Sequence, residues 1–114
     1  MKIVKCKSGN IMLLLKEVTD ASDKVIKAND TDAAVEKHVP QYEIEDNKVK
    51  VYVNHVMEED HYIEWILVDY GTEQIIRHFK PGEEAKIEVE YKDGMKAYSY
   101  CNKHSLWANE NIKK

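Results

Sequence analysis

From Gln41 onward, apolar and polar positions alternate with period two. Lys48 to Asn54 sets Val49, Val51 and Val53 on one face and Lys48, Lys50 and Tyr52 on the other, the pattern of a strand with one covered side. His61 to Leu67 repeats it, placing His61, Ile63, Trp65 and Leu67 together. Ala85 to Tyr91 sets Ile87, Val89 and Tyr91 against Lys86, Glu88 and Glu90. Gln74–Phe79 and Lys96–Tyr100 read as further strands with a weaker division between faces. Turn chemistry separates these runs at Asp69-Tyr70-Gly71, Lys80-Pro81-Gly82 and Lys92-Asp93-Gly94. Short strands at this spacing, with no convincing long helix, predict an all-β antiparallel sandwich or barrel.

The first 37 residues read differently. Short apolar runs, Ile11–Leu15 and Val25-Ile26, lie among Asp-, Ser- and Asn-rich turns, so a short irregular N-terminal segment is expected. Thr31-Asp32-Ala33-Ala34 resembles a helix start of about one turn. No internal repeat or low-complexity stretch interrupts the chain. A length of 114 residues fits a single domain with its own core. The net charge of -4, with 17 basic and 21 acidic residues and no basic stripe, argues against nucleic-acid binding. No apolar run approaches a membrane span, and Ile11–Leu15 is too short for a secretory signal. A cytoplasmic protein with no nucleic-acid or membrane partner is expected.

The alternation also places chemistry. One step beyond Val49, Val51 and Val53 lies His55, and His61 begins the next inward face, so both imidazoles fall where a buried face meets the rim of a sheet. Rims are where loops bring side chains from different strands together. Cys101-Asn102-Lys103-His104 forms a Cys-x-x-His pair on a tight turn. His38 precedes Val39-Pro40, and the proline is expected to hold His38 extended. Together these segments use four of the five histidines and one of the two cysteines. One thiolate and four imidazoles exceed the tetrahedral set of a structural zinc and suit a redox iron.

Other readings stay open on spacing alone. A structural zinc could use Cys101, His104 and two more histidines. A Cys–His nucleophile for hydrolysis ranks last, because no oxyanion-hole signature accompanies it and the other three histidines would be superfluous. Residue by residue, a strand-end histidine is more often a hydrogen-bonded structural group, and Cys101 could be a small buried hydrophobe. Met57 and Trp107 read as core or rim packing, Glu58-Glu59-Asp60 as a solvated loop, and His78 as structural or surface. A Cys6–Cys101 disulfide is disfavoured in a reducing cytosol.

Glu36-Lys37-His38-Val39-Pro40, the run from His55 to Trp65, and Cys101-Asn102-Lys103-His104 through Trp107 resemble the superoxide reductases, the desulfoferrodoxin and neelaredoxin family. The likeness runs from about Ala33 to Ala108, with the motifs in family order. It implies an immunoglobulin-like antiparallel β-sandwich and a mononuclear non-haem iron cycling between Fe2+ and Fe3+. His38, His55, His61 and His104 are implied as equatorial ligands and Cys101 as the axial thiolate, with a sixth position open to superoxide. Glu36 is implied to occupy that position after oxidation, and Lys37 to stand beside it as a cation. The implied reaction takes superoxide, one electron and two protons to hydrogen peroxide. A rubredoxin-like protein is the implied electron donor, and a homodimer or homotetramer the implied assembly. The roles are physically sensible. A lysine at the mouth concentrates a small anion and stabilises charge on it. Water ordered by Lys37 is a route for protons. An anionic sulfur pushes electron density onto the metal, and backbone N–H groups near His104 or Ser105 would tune it.

The chain departs from the family pattern in three places. Val56 stands where a proline usually follows the first loop histidine, and Ser105 where a glycine usually follows the last. Lys5-Cys6-Lys7-Ser8-Gly9-Asn10 resembles an eroded desulforedoxin-like module, which needs four cysteines where this chain retains Cys6 alone. Residues 1–32 are therefore expected to be a degenerate N-terminal module without a second iron, and residues 33–114 the iron-binding sandwich. Two non-catalytic alternatives are a sandwich holding zinc for stability and an iron or oxygen sensor.

Overall fold

The computed structural model describes residues 2–6, 11–14 and 24–114. Strands β1 (Lys2–Lys5), β2 (Ile11–Leu14) and β3 (Lys24–Val25) pair antiparallel in the order β2-β1-β3. The stretch read as irregular thus contains a small sheet of its own. Residues 7–10 of the eroded-module reading, and Leu15, lie outside the described residues. A single helical turn, α1 (Val35–His38), leads into β4 (Gln41–Glu45), β5 (Lys48–Tyr52), β6 (Ile63–Asp69), β7 (Gln74–His78), β8 (Lys86–Glu90), β9 (Lys96–Cys101) and β10 (Ser105–Asn109). These seven strands form two antiparallel sheets, β4-β5-β8 and β10-β9-β6-β7. The chain changes sheet after β5, after β7 and after β8, which is the seven-strand immunoglobulin-like plan. Among the described residues no helix is long and apolar enough to cross a membrane.

The core between the two sheets follows the alternation in β5 and β8. Val49, Val51 and Val53 are buried together with Ile87 and Val89, while Lys86, Glu88 and Glu90 stay exposed. β6 breaks its expected pattern. A register irregularity between Ile63 and Trp65 inserts a bulge against β9, and a bulge exchanges the faces of the residues beyond it. Ile63, Ile66 and Val68 therefore enter the sandwich core, whereas Trp65 and Leu67 point to the opposite side. His61, Ile63, Trp65 and Leu67 do not share one face.

That opposite side is covered as well. Trp65, Leu67, Tyr100 and Leu106 pack with Ile3, and Ile11, Leu13 and Ile26 flank them, so the N-terminal sheet caps the outer face of the larger sheet. Each fully buried side chain of this size contributes about 1.5–3 kcal/mol. Asn29 fixes the connection to the sandwich. Its Nδ2 donates to the Ala108 carbonyl at 3.3 Å and its Oδ1 accepts from the Ala108 N–H at 2.8 Å. Its φ of 60° lies in the left-handed region, which asparagine tolerates better than most residues.

Candidate metal centre

Helix α1 delivers the first donor. Pro40 disfavours helical backbone at the residue before it, and Val39 is accordingly extended (φ -68°, ψ 128°) while His38 remains the last helical residue. The proline's constraint falls on Val39, not on His38 as expected. Successive helical residues point about 100° apart. His38 therefore turns inward, 3% exposed, while Glu36 and Lys37 stay on the surface. The His38 carbonyl accepts from the hydroxyl of buried Ser99 at 2.8 Å, and its Nδ1 lies 2.8 Å from the Ala34 carbonyl. A carbonyl only accepts, so Nδ1 carries the proton and Nε2 keeps its lone pair for the interior.

His55 follows the buried face of β5 as the alternation predicts, and its Nδ1 donates to the Val56 carbonyl, again freeing Nε2. His61 sits in a loop closed by a pair of backbone bonds with Glu58, at 3.0 and 3.1 Å. Cys101 ends β9, fully buried, and His104 follows on the turn into β10. Cys101 Sγ lies 3.7 Å from His55 Nε2 and 3.8 Å from His104 Nδ1.

The four imidazoles close a cycle. Ring centroids are 4.7 Å apart for His38–His55, 4.6 Å for His55–His61, 5.2 Å for His61–His104 and 4.8 Å for His104–His38. His38 thus stands across from His61, and His55 across from His104. Adjacent rings are steeply inclined, between 69° and 90°. One donor atom from each imidazole and the Cys101 sulfur all lie within 4.8 Å of one another. All five residues expected from the sequence converge.

The donor set fits a metal on three grounds. His61 Nε2 is buried with no hydrogen-bond partner among the described residues, and a buried orphan of this kind calls for an explanation. His38 Nε2 and His104 Nδ1 are 3.0 Å apart, the spacing of two nitrogens at right angles about a metal with bonds of roughly 2.1 Å. Burial pushes His38, His55 and His61 below their ordinary 6.5, and the facing imidazoles push each further down. The folded site therefore favours neutral rings, the form that binds a cation.

Several residues support the donors in ways that the sequence does not specify. Trp107 stacks on His38, and its Nε1 donates to the His104 carbonyl at 3.0 Å. The Thr31 hydroxyl donates to that same carbonyl at 2.6 Å. Ser99 and Asn102 make comparable bonds to the His38 segment and the His61 loop. Met57 packs against the core and His78 is exposed, as read. Ser105, in the place of the usual glycine, has φ 66°.

Comparison with known proteins agrees with this geometry. A "Desulfoferrodoxin homolog" of Archaeoglobus fulgidus is 46% identical over 89 residues, covering 74% of this chain and 70% of that protein. A "Superoxide reductase" of Pyrococcus horikoshii is 34% identical over 98 residues, covering 66% of this chain and 85% of that protein. The crystal structure of the superoxide reductase from Treponema pallidum shares the fold, with a TM-score of 0.72 at 20% identity over 96% of this chain and 99% of that one. The family holds non-haem iron. With the desulfoferrodoxin family model matching residues 30–110, this chain belongs to the desulfoferrodoxin family.

Proposed function

We propose that the protein is a superoxide reductase, with one non-haem iron held by His38, His55, His61, His104 and Cys101. The observation that carries this reading is the closed cycle of four imidazoles with a cysteine sulfur beside it. Iron bound there supplies the one-electron couple that superoxide reduction needs. Superoxide takes up one electron and two protons to become hydrogen peroxide, and the electron comes from outside the chain.

The protein's own residues do the rest. His38 and His55 present Nε2 because carbonyls engage their Nδ1 protons. Cys101 offers a buried sulfur, and a thiolate ligand shifts electron density toward the metal. Lys37 is exposed on the turn that carries His38, and its charge is felt at His55. It attracts the anion and orders the water that delivers protons. Glu36, exposed on the same turn, would be the carboxylate that covers the site once superoxide has reacted. A zinc site kept only for stability needs four donors and would leave one of these five without a task. A rubredoxin-like donor, assembly as a homodimer or homotetramer, a cytoplasmic location and the division into a degenerate module (1–32) and an iron-binding sandwich (33–114) complete the proposal.

The test mixes iron-loaded, reduced protein with superoxide under anaerobic conditions. The expected result is oxidation of the protein with one peroxide formed per iron and growth of a thiolate-to-ferric charge-transfer band. Reduced protein left unoxidised by superoxide would overturn the reading.

A further inference from the structure

The β6–β9 ladder ends where Ile63 faces Cys101, yet His61 lies two residues before that end. Asn102 bridges the gap. Its Oδ1 accepts from the Tyr62 N–H at 3.0 Å, and its Nδ2 donates to the Asp60 carbonyl at 3.0 Å. Its own backbone N–H adds a longer bond, 3.3 Å, to the Tyr62 carbonyl. The side-chain amide therefore holds the peptide groups on both sides of His61, as a strand residue would if the ladder continued. Only a carboxamide offers a donor and an acceptor in one short planar group, so serine or aspartate cannot make both contacts.

The two segments joined in this way carry three donors of the metal centre. Asn102 sits between Cys101 and His104 on one hairpin, and His61 comes from a separate loop. That loop's own backbone is otherwise tied by its bond pair between Glu58 and His61 and by the Gly82 N–H, which donates to the Met57 carbonyl at 2.8 Å. His61 Nε2, meanwhile, is buried without a partner among the described residues, so no hydrogen bond at that nitrogen fixes the ring's direction. We infer that Asn102 is a positioning residue that sets His61 in register with Cys101 and His104 for metal binding. The inference rests on the metal-site reading above. It does not depend on which reaction the metal performs.

The experiment compares wild type, Asn102→Ala and Asn102→Asp. Affinity for Co2+ is measured by competition with a chelator, and the thiolate-to-cobalt and ligand-field bands are recorded. The alanine variant removes both side-chain contacts. The aspartate variant keeps the acceptor for Tyr62 and sets two oxygens face to face at Asp60, so it decides the matter if the alanine variant does not fold. Both are expected to bind Co2+ roughly 10- to 100-fold more weakly, as loss of a group orienting a ligand does, with shifted ligand-field bands. Variants that bind Co2+ with wild-type affinity and unchanged bands would overturn the inference, whatever happens to their unfolding midpoints. Wild-type protein that binds Co2+ tightly but, loaded with iron, ignores superoxide would overturn the proposed reaction and leave the comparison at Asn102 intact.

Discussion

The indole of Trp107 lies over the imidazole of His38, with ring centroids 4.9 Å apart and planes inclined by 29°. The same indole donates to the carbonyl of His104, on the far side of the hairpin turn. One side chain thus braces two donors that are 66 residues apart in sequence.

Trp107→Phe and Trp107→Ala separate the two contacts. Phenylalanine keeps an aromatic face for His38 but loses the hydrogen bond and part of the buried ring volume. The His104 carbonyl still accepts from Thr31, so the hydrogen-bond share of the cost is about 1 kcal/mol. Alanine opens a cavity at a residue 1% exposed and costs about 3–5 kcal/mol. Urea unfolding of the metal-free protein measures both, and equal losses would show that packing over His38 is not what Trp107 contributes.

Ser105 opens β10 with φ 66°, a region that costs a residue with a side chain about 1–2 kcal/mol. Glycine removes that cost and adds entropy to the unfolded chain, which offsets part of the gain. Ser105→Gly is expected to stabilise the protein by about 0.5–1 kcal/mol, read as a raised urea midpoint at unchanged slope. A lowered midpoint would mean that the serine has a stabilising contact outweighing its backbone conformation.

Metal-free protein should lose stability on acidification. His38, His55 and His61 are held below their ordinary 6.5, first by burial. As pH falls through 6.5, the unfolded chain binds protons before the folded one does, and the slope of stability with pH is set by that difference. Stability is therefore highest above 6.5 and declines below it until the folded-state values are passed. Urea midpoints between pH 8 and pH 5 provide the measurement. A flat profile would contradict the burial of these rings.

Lys37→Ala is expected to slow the reaction of reduced, iron-loaded protein with superoxide about tenfold at low salt and to flatten its dependence on ionic strength. Rapid-mixing rates across a salt series give the comparison. A rate equal to wild type at low salt would remove Lys37 from the steering role.

What the sequence disclosed depended on what each residue faces. Val49, Val51, Val53, Ile87 and Val89 were legible because their strands have one solvated side, and period two is the signature of such strands. β6 was not, since every residue from Trp65 to Asp69 is buried, some by the sandwich and some by the N-terminal sheet. With both faces apolar, nothing in the sequence marks the bulge at Ile63/Trp65. The donors were legible because histidine and cysteine are scarce in this chain and chemically particular. Asn102, Ser99 and Thr31 were not, because their residue types are common in turns and strands and their roles depend only on where a carbonyl or amide lies in space. His38 fell between these cases. Its identity was evident, but a helix of four residues is too short to show a period.

The placement of the two tryptophans has a practical consequence. Trp65 stacks on Tyr100 at 5.5 Å beneath the N-terminal sheet, whereas Trp107 lies against His38. Fluorescence from a Trp107→Phe protein reports whether the N-terminal cover is seated, and fluorescence from a Trp65→Phe protein reports whether the histidine cluster is assembled. The chain carries a separate optical probe in each layer, so detachment of the cover and loss of the centre can be timed independently during unfolding without any added label.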